Sequence, residues 1–167
     1  MDWGLIYGYT GAALGVALAC TGSSFGIGYA GMAACGMLSE DPSKFGKSLI
    51  LAALPGTQGF YGFIIFFLIL GKIAKLAALE AMTPTFGLIF IAAGLPVGIA
   101  GLFSGIYQGK VGAAGITILA RKPEDFIKGV VMAALVETYA ILGLLASIFI
   151  VVAVKVPVVQ QAVETIK

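Results

Sequence analysis

The segment VVMAALVETYAILG, residues 130–143, carries one acidic side chain in the middle of an otherwise apolar run. That side chain is Glu137, and no other Asp or Glu of the chain lies so deep between apolar residues. A charged carboxylate at the centre of a bilayer costs about 2.5–3.5 kcal/mol on insertion scales, so acidic residues at this depth are rare and usually functional. We therefore interpret Glu137 as a functional residue. A Glu that serves packing alone is the alternative.

The composition of the whole chain is typical of an integral membrane protein. Its 167 residues are 60% hydrophobic and only 11% charged, with a mean hydropathy of +1.06, whereas a soluble domain carries about 25% charged residues. The chain contains no His, which excludes imidazole-based catalysis and metal ligation. Cys20 and Cys35 lie too far apart on one predicted helix to form a disulfide within a chain.

Four apolar runs divide the chain, and each is long enough to cross a bilayer as a helix. They cover about residues 9–38, 47–70, 86–119 and 129–154, and they lack the alternation of a membrane β-barrel. The sequence therefore predicts an all-α membrane protein with four transmembrane helices, located in the cell membrane as a multi-pass protein. Lys and Arg are slightly more frequent beside the two proline-containing loops, residues 39–44 and 120–125, which favours that side as the cytoplasmic one.

The two halves of the chain repeat at an offset of 81 positions. The matched pairs include Ser23 with Ser104, Pro42 with Pro123, Lys47 with Lys128, Thr57 with Thr138 and Gly62 with Gly143. This repeat predicts two tandem helical hairpins in parallel orientation, residues 1–81 and 82–167. At this offset Glu137 corresponds to Gly56, so the chain has one ionisable site per four helices.

Glycines recur at spacings of about four in the first and third predicted helices, which allows two helix backbones to approach closely. They are Gly11, Gly15, Gly22 and Gly26 in the first, and Gly94, Gly98, Gly101, Gly105 and Gly109 in the third. The second and fourth helices carry bulky residues such as Phe60, Phe63, Phe66, Phe67 and Phe149. This distribution favours a wedge-shaped subunit that repeats into a closed homo-oligomeric ring. From the glycines alone, a tightly packed monomeric bundle remains an alternative.

The second predicted helix presents a polar face. Four of its residues have the spacing i, i+3, i+4, i+7 and share one side of the helix: Leu54, Thr57, Gln58 and Tyr61. Because Pro55 has no N–H, the i to i−4 pattern leaves the carbonyl of Leu51 free. Gln108 in the third helix adds a second amide.

Together with Glu137, these groups supply oxygen donors without sulfur or imidazole, which suit a hard cation. A single carboxylate neutralises a monovalent ion and not a divalent one, so the set favours Na⁺ over Ca²⁺. A buried carboxyl group can instead carry a proton, and H⁺ is the alternative cargo. For Thr57 and Gln58, hydrogen bonding between helices without ion binding also remains open.

Three motifs resemble the proteolipid subunit of V-type ATPases, in particular the K subunits of bacterial sodium-translocating enzymes. They are LPGTQGFYG (54–62), GLFSGIYQGK (101–110) and LVETYAILG (135–143), within a similarity that covers about residues 10–154. The resemblance implies a non-catalytic rotor-ring subunit, turned by ATP hydrolysis in a soluble head. It implies that Na⁺ is held by Glu137, Thr57, Gln58, Gln108 and the backbone carbonyl of Leu54. It also implies a hydrogen bond from Tyr61 to the carboxylate.

The resemblance further implies several partners. These are identical subunits in a ring, a stator membrane subunit that supplies half-channels and an arginine, central-stalk subunits and the lipid bilayer, with no nucleic acid. The only arginine of this chain, Arg121, is predicted to lie in a loop. Two other functions remain as alternatives: a small multidrug-type antiporter that uses Glu137, and a structural pore in which Glu137 is idle. The extension 155–167 departs from the usual ending of the family, and we predict no role for it.

Overall fold

A computed structural model describes residues 2–156, and this part of the chain forms five α-helices and three short 3₁₀ turns. The α-helices are α1 (Trp3–Glu40), α2 (Phe45–Ala53), α3 (Thr57–Ala78), α4 (Pro84–Arg121) and α5 (Phe126–Ala153). The 3₁₀ turns are Pro42–Lys44, Leu54–Gly56 and Pro123–Asp125. Because α2 and α3 continue one another through the second turn, the described residues form four rods that are long and apolar enough to cross a membrane.

The ends of the helices lie further out than hydropathy predicts. The first helix begins at Trp3 and not near residue 9, because the side chain of Asp2 caps it by accepting a hydrogen bond of 3.2 Å from the N–H of Leu5. The second rod continues to Ala78, past its predicted end near residue 70. The extra turns include Lys72, whose Nζ donates to the carbonyl of Val154 at 2.6 Å. Of the extension 155–167, residues 157–167 lie outside the described part of the chain.

The C-terminus of α3 ends in a Schellman motif. The N–H of Ala81 donates to the carbonyl of Leu76 at 2.9 Å, and the N–H of Glu80 donates to the carbonyl of Ala77 at 3.0 Å. Glu80 occupies the left-handed position of this motif, with a φ of 52°. Glycine usually occupies this position because a side chain there is strained.

The glycines of α1 and α4 form the closest contact between helices. A Cβ built on Gly105 would lie 2.6 Å from the backbone carbon of Gly22, and one built on Gly22 would lie 2.5 Å from the carbonyl oxygen of Gly101. Side chains at these positions would therefore collide with backbone atoms that cannot move aside. The two 38-residue helices, each about 57 Å long, pack backbone to backbone from Gly4 to Gly26 of α1. The spacing of glycines correctly predicts which two helices approach most closely.

The interior consists of two apolar clusters separated by a polar layer. One cluster includes Ile65, Ile69, Phe90 and Val97, and the other includes Leu51, Ile116, Leu119 and Ala133, all of them buried. The buried side chains of Gln58, Ser104 and Gln108 lie between the two along the helices. The fold therefore holds these three buried polar groups at one level of the bundle, whereas the buried hydroxyls of Ser48 and Ser147 lie at other levels.

The two proline-containing turns lie at the same end of the bundle. Lys44, at the end of the first turn, extends its Nζ to the carbonyl of Ala120, 3.0 Å away at the end of α4. Lys44 also forms an ion pair of 3.2 Å with Asp41, and Lys128 forms one of 2.7 Å with Asp125. These contacts place both connections between hairpin arms together, as expected for two hairpins in parallel orientation.

Candidate ion-binding site

Glu137 lies in the middle of α5, partly buried, and receives hydrogen bonds from two other helices. The phenol of Tyr61 on α3 donates to Oε1 at 2.5 Å. The amide of Gln108 on α4 donates to Oε2 at 3.3 Å. Within residues 2–156, the ion pairs of the chain lie at its proline-containing turns, and neither involves Glu137. Neutral donors alone therefore hold the carboxylate in place.

Two fully buried amides form a chain of hydrogen bonds that leads to the carboxylate. Gln108 Nε2 also donates to the carbonyl of Ala133 at 3.2 Å, so both of its hydrogens are used. Its Oε1 accepts a hydrogen bond of 2.6 Å from Gln58 Nε2, which also donates to the hydroxyl of Ser104 at 3.2 Å. Because a carboxylate only accepts, the order of donation runs from Gln58 through Gln108 to Glu137.

This order leaves one buried acceptor unused. Among the described residues, Oε1 of Gln58 is the buried side-chain oxygen or nitrogen without a hydrogen-bond partner. A buried polar atom without a partner costs about 1–3 kcal/mol, so such atoms are uncommon in folded proteins. A ligand with positive charge would satisfy this oxygen.

Ser104 belongs to the same network, although the sequence motifs predict no role for it. Besides accepting from Gln58, its hydroxyl donates to the carbonyl of Val136 at 3.0 Å and so connects α4 to α5 beside Glu137. Two signals could have identified it: Ser104 precedes Gln108 by one helical turn, and it matches Ser23 in the repeat. Ser23 also joins two helices, because its hydroxyl accepts from the N–H of Gly59 at 2.8 Å.

Thr57 and Leu54 lie beside this network without bonding to the carboxylate. The Thr57 hydroxyl and backbone N–H both turn back to the carbonyl of Leu54, at 3.1 Å for the hydroxyl. In the part of the chain that the structure describes, neither residue has a hydrogen bond to Glu137. The structure thus brings Glu137, Tyr61, Gln108 and Gln58 into one network and leaves these two next to it.

The carbonyl of Leu51 faces a different neighbour. Its oxygen lies against α4 at Gly112, where a Cβ built on the glycine would be 2.9 Å away. Because the helix is interrupted at Pro55, the backbone carbonyls of Leu54 and Leu51 point to different neighbours. The carbonyl of Leu54 is held within the 3₁₀ turn, while that of Leu51 packs on the backbone of α4.

The donor set of the site consists of oxygen and amide groups. Residues 2–156 contain no cluster of three or more His, Cys, Asp or Glu side chains that could hold a metal ion. A single carboxylate with amide, hydroxyl and carbonyl oxygens suits a hard monovalent cation or a proton better than a divalent or transition metal.

A family model that describes the C-subunit of ATP synthase matches the chain twice, over residues 10–69 and 91–150. The chain belongs to the ATP synthase C-subunit family. The two matched segments stand 81 positions apart, which is the offset of the internal repeat. The prediction of an all-α protein built from two tandem repeats of membrane helices, in a family that forms rings, is confirmed.

The chain is similar to several proteins of rotary ATPases. It is 47% identical to the V-type sodium ATPase subunit K of Enterococcus hirae, over 89% of this chain and 92% of that protein. It is 43% identical to the A-type ATP synthase subunit K of Methanocaldococcus jannaschii, over 90% of this chain and 64% of that protein. Identity to the 16 kDa proteolipid of the V-type proton ATPase of Nephrops norvegicus is 30%, over 86% of this chain and 89% of that protein.

These similarities identify this member of the ATP synthase C-subunit family as a rotor proteolipid of the V/A type. It is a membrane protein and a non-catalytic part of an ion-transporting ATPase, as the sequence predicts. The similarities include proteins of sodium and of proton enzymes.

Proposed function

We propose that each chain binds one Na⁺ at Glu137 and carries it across the membrane as a ring of identical chains rotates. The observation that carries this proposal is the unused, fully buried oxygen of Gln58, two hydrogen bonds away from the carboxylate. A proton carried by Glu137 would leave that oxygen without a partner, whereas a cation held between the amides and the carboxylate would satisfy it. The similarity to a V-type sodium ATPase subunit K supports the same choice.

The proposed ligands are Glu137, Gln58, Gln108, Thr57 and the carbonyl of Leu54, with Tyr61 orienting the carboxylate. Gln108 directs Nε2 toward Glu137, so binding of a cation requires its amide to turn over and offer Oε1. The Thr57 hydroxyl already donates its hydrogen to Leu54, which leaves its lone pairs available to a cation. The site changes from a hydrogen-bonded network to a coordination shell by rotation of side chains, without movement of the helices.

Charge neutralisation explains how such a site drives directional rotation. When Na⁺ binds, Glu137 and the ion form a neutral pair that can face lipid at low cost, while an empty, charged site cannot. The ring then turns only in the direction that loads each site before it meets lipid. A stator subunit supplies two half-channels and an arginine. The positive charge of this arginine favours release of the ion. The turns at Pro42 and Pro123 are candidates for docking the central stalk.

A proton-carrying ring is the second candidate. The hydrogen bonds of Tyr61 and Gln108 to Glu137 need no metal ion, and one similar protein is a proteolipid of a proton ATPase. In that case Glu137 takes up H⁺, Gln58 only joins helices, and Thr57 only bonds the carbonyl of Leu54 in its own turn.

Labelling of Glu137 with dicyclohexylcarbodiimide, in membranes with and without Na⁺, tests the proposal. Protection by Na⁺ at neutral pH supports sodium transport, and labelling that responds to pH alone supports the proton ring. Glu137→Gln should abolish transport and labelling while the ring remains assembled. A structural pore would show no labelling of wild type, and a multidrug-type antiporter would show protection by lipophilic cations instead of Na⁺.

A further inference from the structure

One helical stripe of α5 is exposed although its counterpart in the first repeat is buried or partly buried. Met132, Leu135, Tyr139 and Leu142 recur every three or four residues, and each is more than half exposed. At the offset of 81, Tyr139 corresponds to Gln58, and Met132 corresponds to Leu51. Both of those first-repeat residues are fully buried, because they face α4 and α5.

The opposite side of the chain shows the reverse pattern. Phe90 and Gln108 of the second repeat are fully buried, but their counterparts in the first repeat, Tyr9 and Ile27, are about half exposed. The contact between the two repeats thus uses one face of each, and it leaves the two equivalent faces open. When the contact between repeats is repeated between chains, it becomes a head-to-tail interface of the kind that closes into rings.

The open face of the first repeat contains a groove at the level of the ion site. Within the chain, Gln58 lies against Ser104 and Gln108 next to Glu137. The first-repeat counterparts of those three partners are Ser23, Ile27 and Gly56, and all three line one groove of about 440 Å³ between α1 and α3.

The chemistry of this groove differs from that of the ion site. Gly56 leaves a space where the second repeat has Glu137, and Ile27 replaces the amide of Gln108. The groove is therefore more apolar than the site it matches, and it lacks the side chain that Glu137 provides there. A large aromatic side chain suits it better than Gln, and the residue that corresponds to Gln58 is Tyr139.

We propose that Tyr139 of one copy inserts into the groove of the next copy, lined by Cys20, Ser23, Ile27 and Gly56. The first repeat thus has, at the position equivalent to the ion site, an apolar socket that joins neighbouring chains. This inference rests on the ring assembly of the proposed function, and it does not depend on which ion the ring carries.

The internal repeat predicts a Cβ–Cβ distance across the interface that disulfide cross-linking can test. A Cβ built on Gly101 would lie 3.6 Å from the Cβ of Gln58. The counterparts of these two residues are Cys20 and Tyr139, so the interface places their Cβ atoms at a similar separation, within the range that a disulfide bridges. In membranes that contain the full chain, we expect Tyr139→Cys in a Cys35→Ser background to form disulfides with Cys20 of the neighbouring copy upon mild oxidation. A non-reducing gel should show a ladder of dimers and higher species.

Two controls make this result specific. The same variant with Cys20→Ser should give no ladder, and Ile141→Cys, exposed on another side of α5, should cross-link far less. A ring of native size without the ladder overturns the proposal. So does an equal ladder from Ile141→Cys.

If Tyr139→Cys fails to assemble, a photoreactive benzoylphenylalanine at position 139 keeps an aromatic ring in the groove. Cross-links mapped to residues 20–27 or 56–63 of a second copy support the socket, and cross-links to lipid overturn it. Protection of Glu137 from carbodiimide by Na⁺ is measured on the same membranes. Loss of that protection with an intact ladder refutes only the sodium proposal, and the reverse outcome refutes only the socket.

Discussion

Tyr61 and Glu137 lie 76 positions apart on α3 and α5, and the phenol of one donates a 2.5 Å hydrogen bond to the carboxylate of the other. This bond joins the two repeats at the carboxylate in the middle of the bundle. We expect this bond to hold the carboxylate in the orientation in which it binds a cation.

Tyr61→Phe should weaken Na⁺ binding at Glu137. We expect roughly tenfold more Na⁺ to be needed for half-maximal protection from carbodiimide, since a hydrogen bond to a charged group contributes about 1.5–3 kcal/mol and about 1.4 kcal/mol is a factor of ten. Tyr107→Phe, which alters an exposed phenol on α4, is the control. Unchanged protection in Tyr61→Phe would contradict the role of this bond.

Thr57→Val should weaken Na⁺ binding more than proton binding. Valine keeps the shape of the side chain but removes the oxygen that we propose as a ligand. Thr138→Val is a matched control, because Thr138 is the repeat counterpart of Thr57 and its hydroxyl also bonds the carbonyl three residues earlier, at 2.8 Å. The measurement is the Na⁺ concentration for half-maximal protection of Glu137. Equal values for both variants would show that Thr57 is not a ligand.

Gln108→Ile copies the residue that the first repeat has at this position. It removes the donor to Oε2 of Glu137, one of the two acceptors of Gln58 Nε2 and the side-chain donor to the carbonyl of Ala133. We expect Na⁺ protection to weaken by at least about tenfold, with each lost or unpaired group contributing about 1–3 kcal/mol. Ser104→Ala should have a smaller effect, because Ser104 touches Gln58 and not the carboxylate. A larger effect of Ser104→Ala would contradict the proposed order of the network.

Gly105→Ala should destabilise the protein by about 1–3 kcal/mol or more, the usual cost of overpacking. The new methyl group would lie 2.6 Å from a backbone atom of Gly22, and two long helices would have to separate to admit it. Gly28→Ala is the control, since a Cβ at Gly28 meets no atom within 4 Å. Thermal dissociation of the purified assembly measures the difference. Similar temperatures for the two variants would argue against the close contact of α1 and α4.

Glu80→Gly should stabilise the end of α3. Glu80 holds the left-handed conformation of a Schellman motif, where a side chain costs about 1–2 kcal/mol. The variant should raise the dissociation temperature without changing Na⁺ protection, because residue 80 lies at the end of the bundle and far along the helix from Tyr61. Destabilisation by glycine would show that the Glu side chain stabilises this turn in another way.

The arrangement of the helices could be predicted from the sequence, because hydropathy, the glycine spacing and the repeat are patterns that extend over many residues. It placed the ends of the first two rods poorly. An apolar run ends where polar residues such as Lys72 begin, but backbone hydrogen bonds continue the second helix beyond that point. At the start of the chain, the Asp2 cap likewise extends the first helix beyond its apolar run.

The candidate site was predictable as a set of residues and not as a network. Grouping Gln58, Gln108 and Glu137 as one donor set needs only their polar side chains within apolar helices. The direction of each amide, the unused oxygen of Gln58 and the bridge through Ser104 depend on side-chain geometry across three helices. Spacing along one helix carries no information about those contacts.

Gly56 stands where a second carboxylate would complete the repeat. Its presence determines how many ions a rotor built from these chains carries in one revolution. Such a rotor has half as many carriers per turn as one of equal helix number with an acid in every hairpin. The work of one revolution is then divided among fewer ions, so each ion can be driven against a steeper electrochemical gradient. With one acid per four helices, a rotor moves fewer ions per revolution but applies more driving force to each ion.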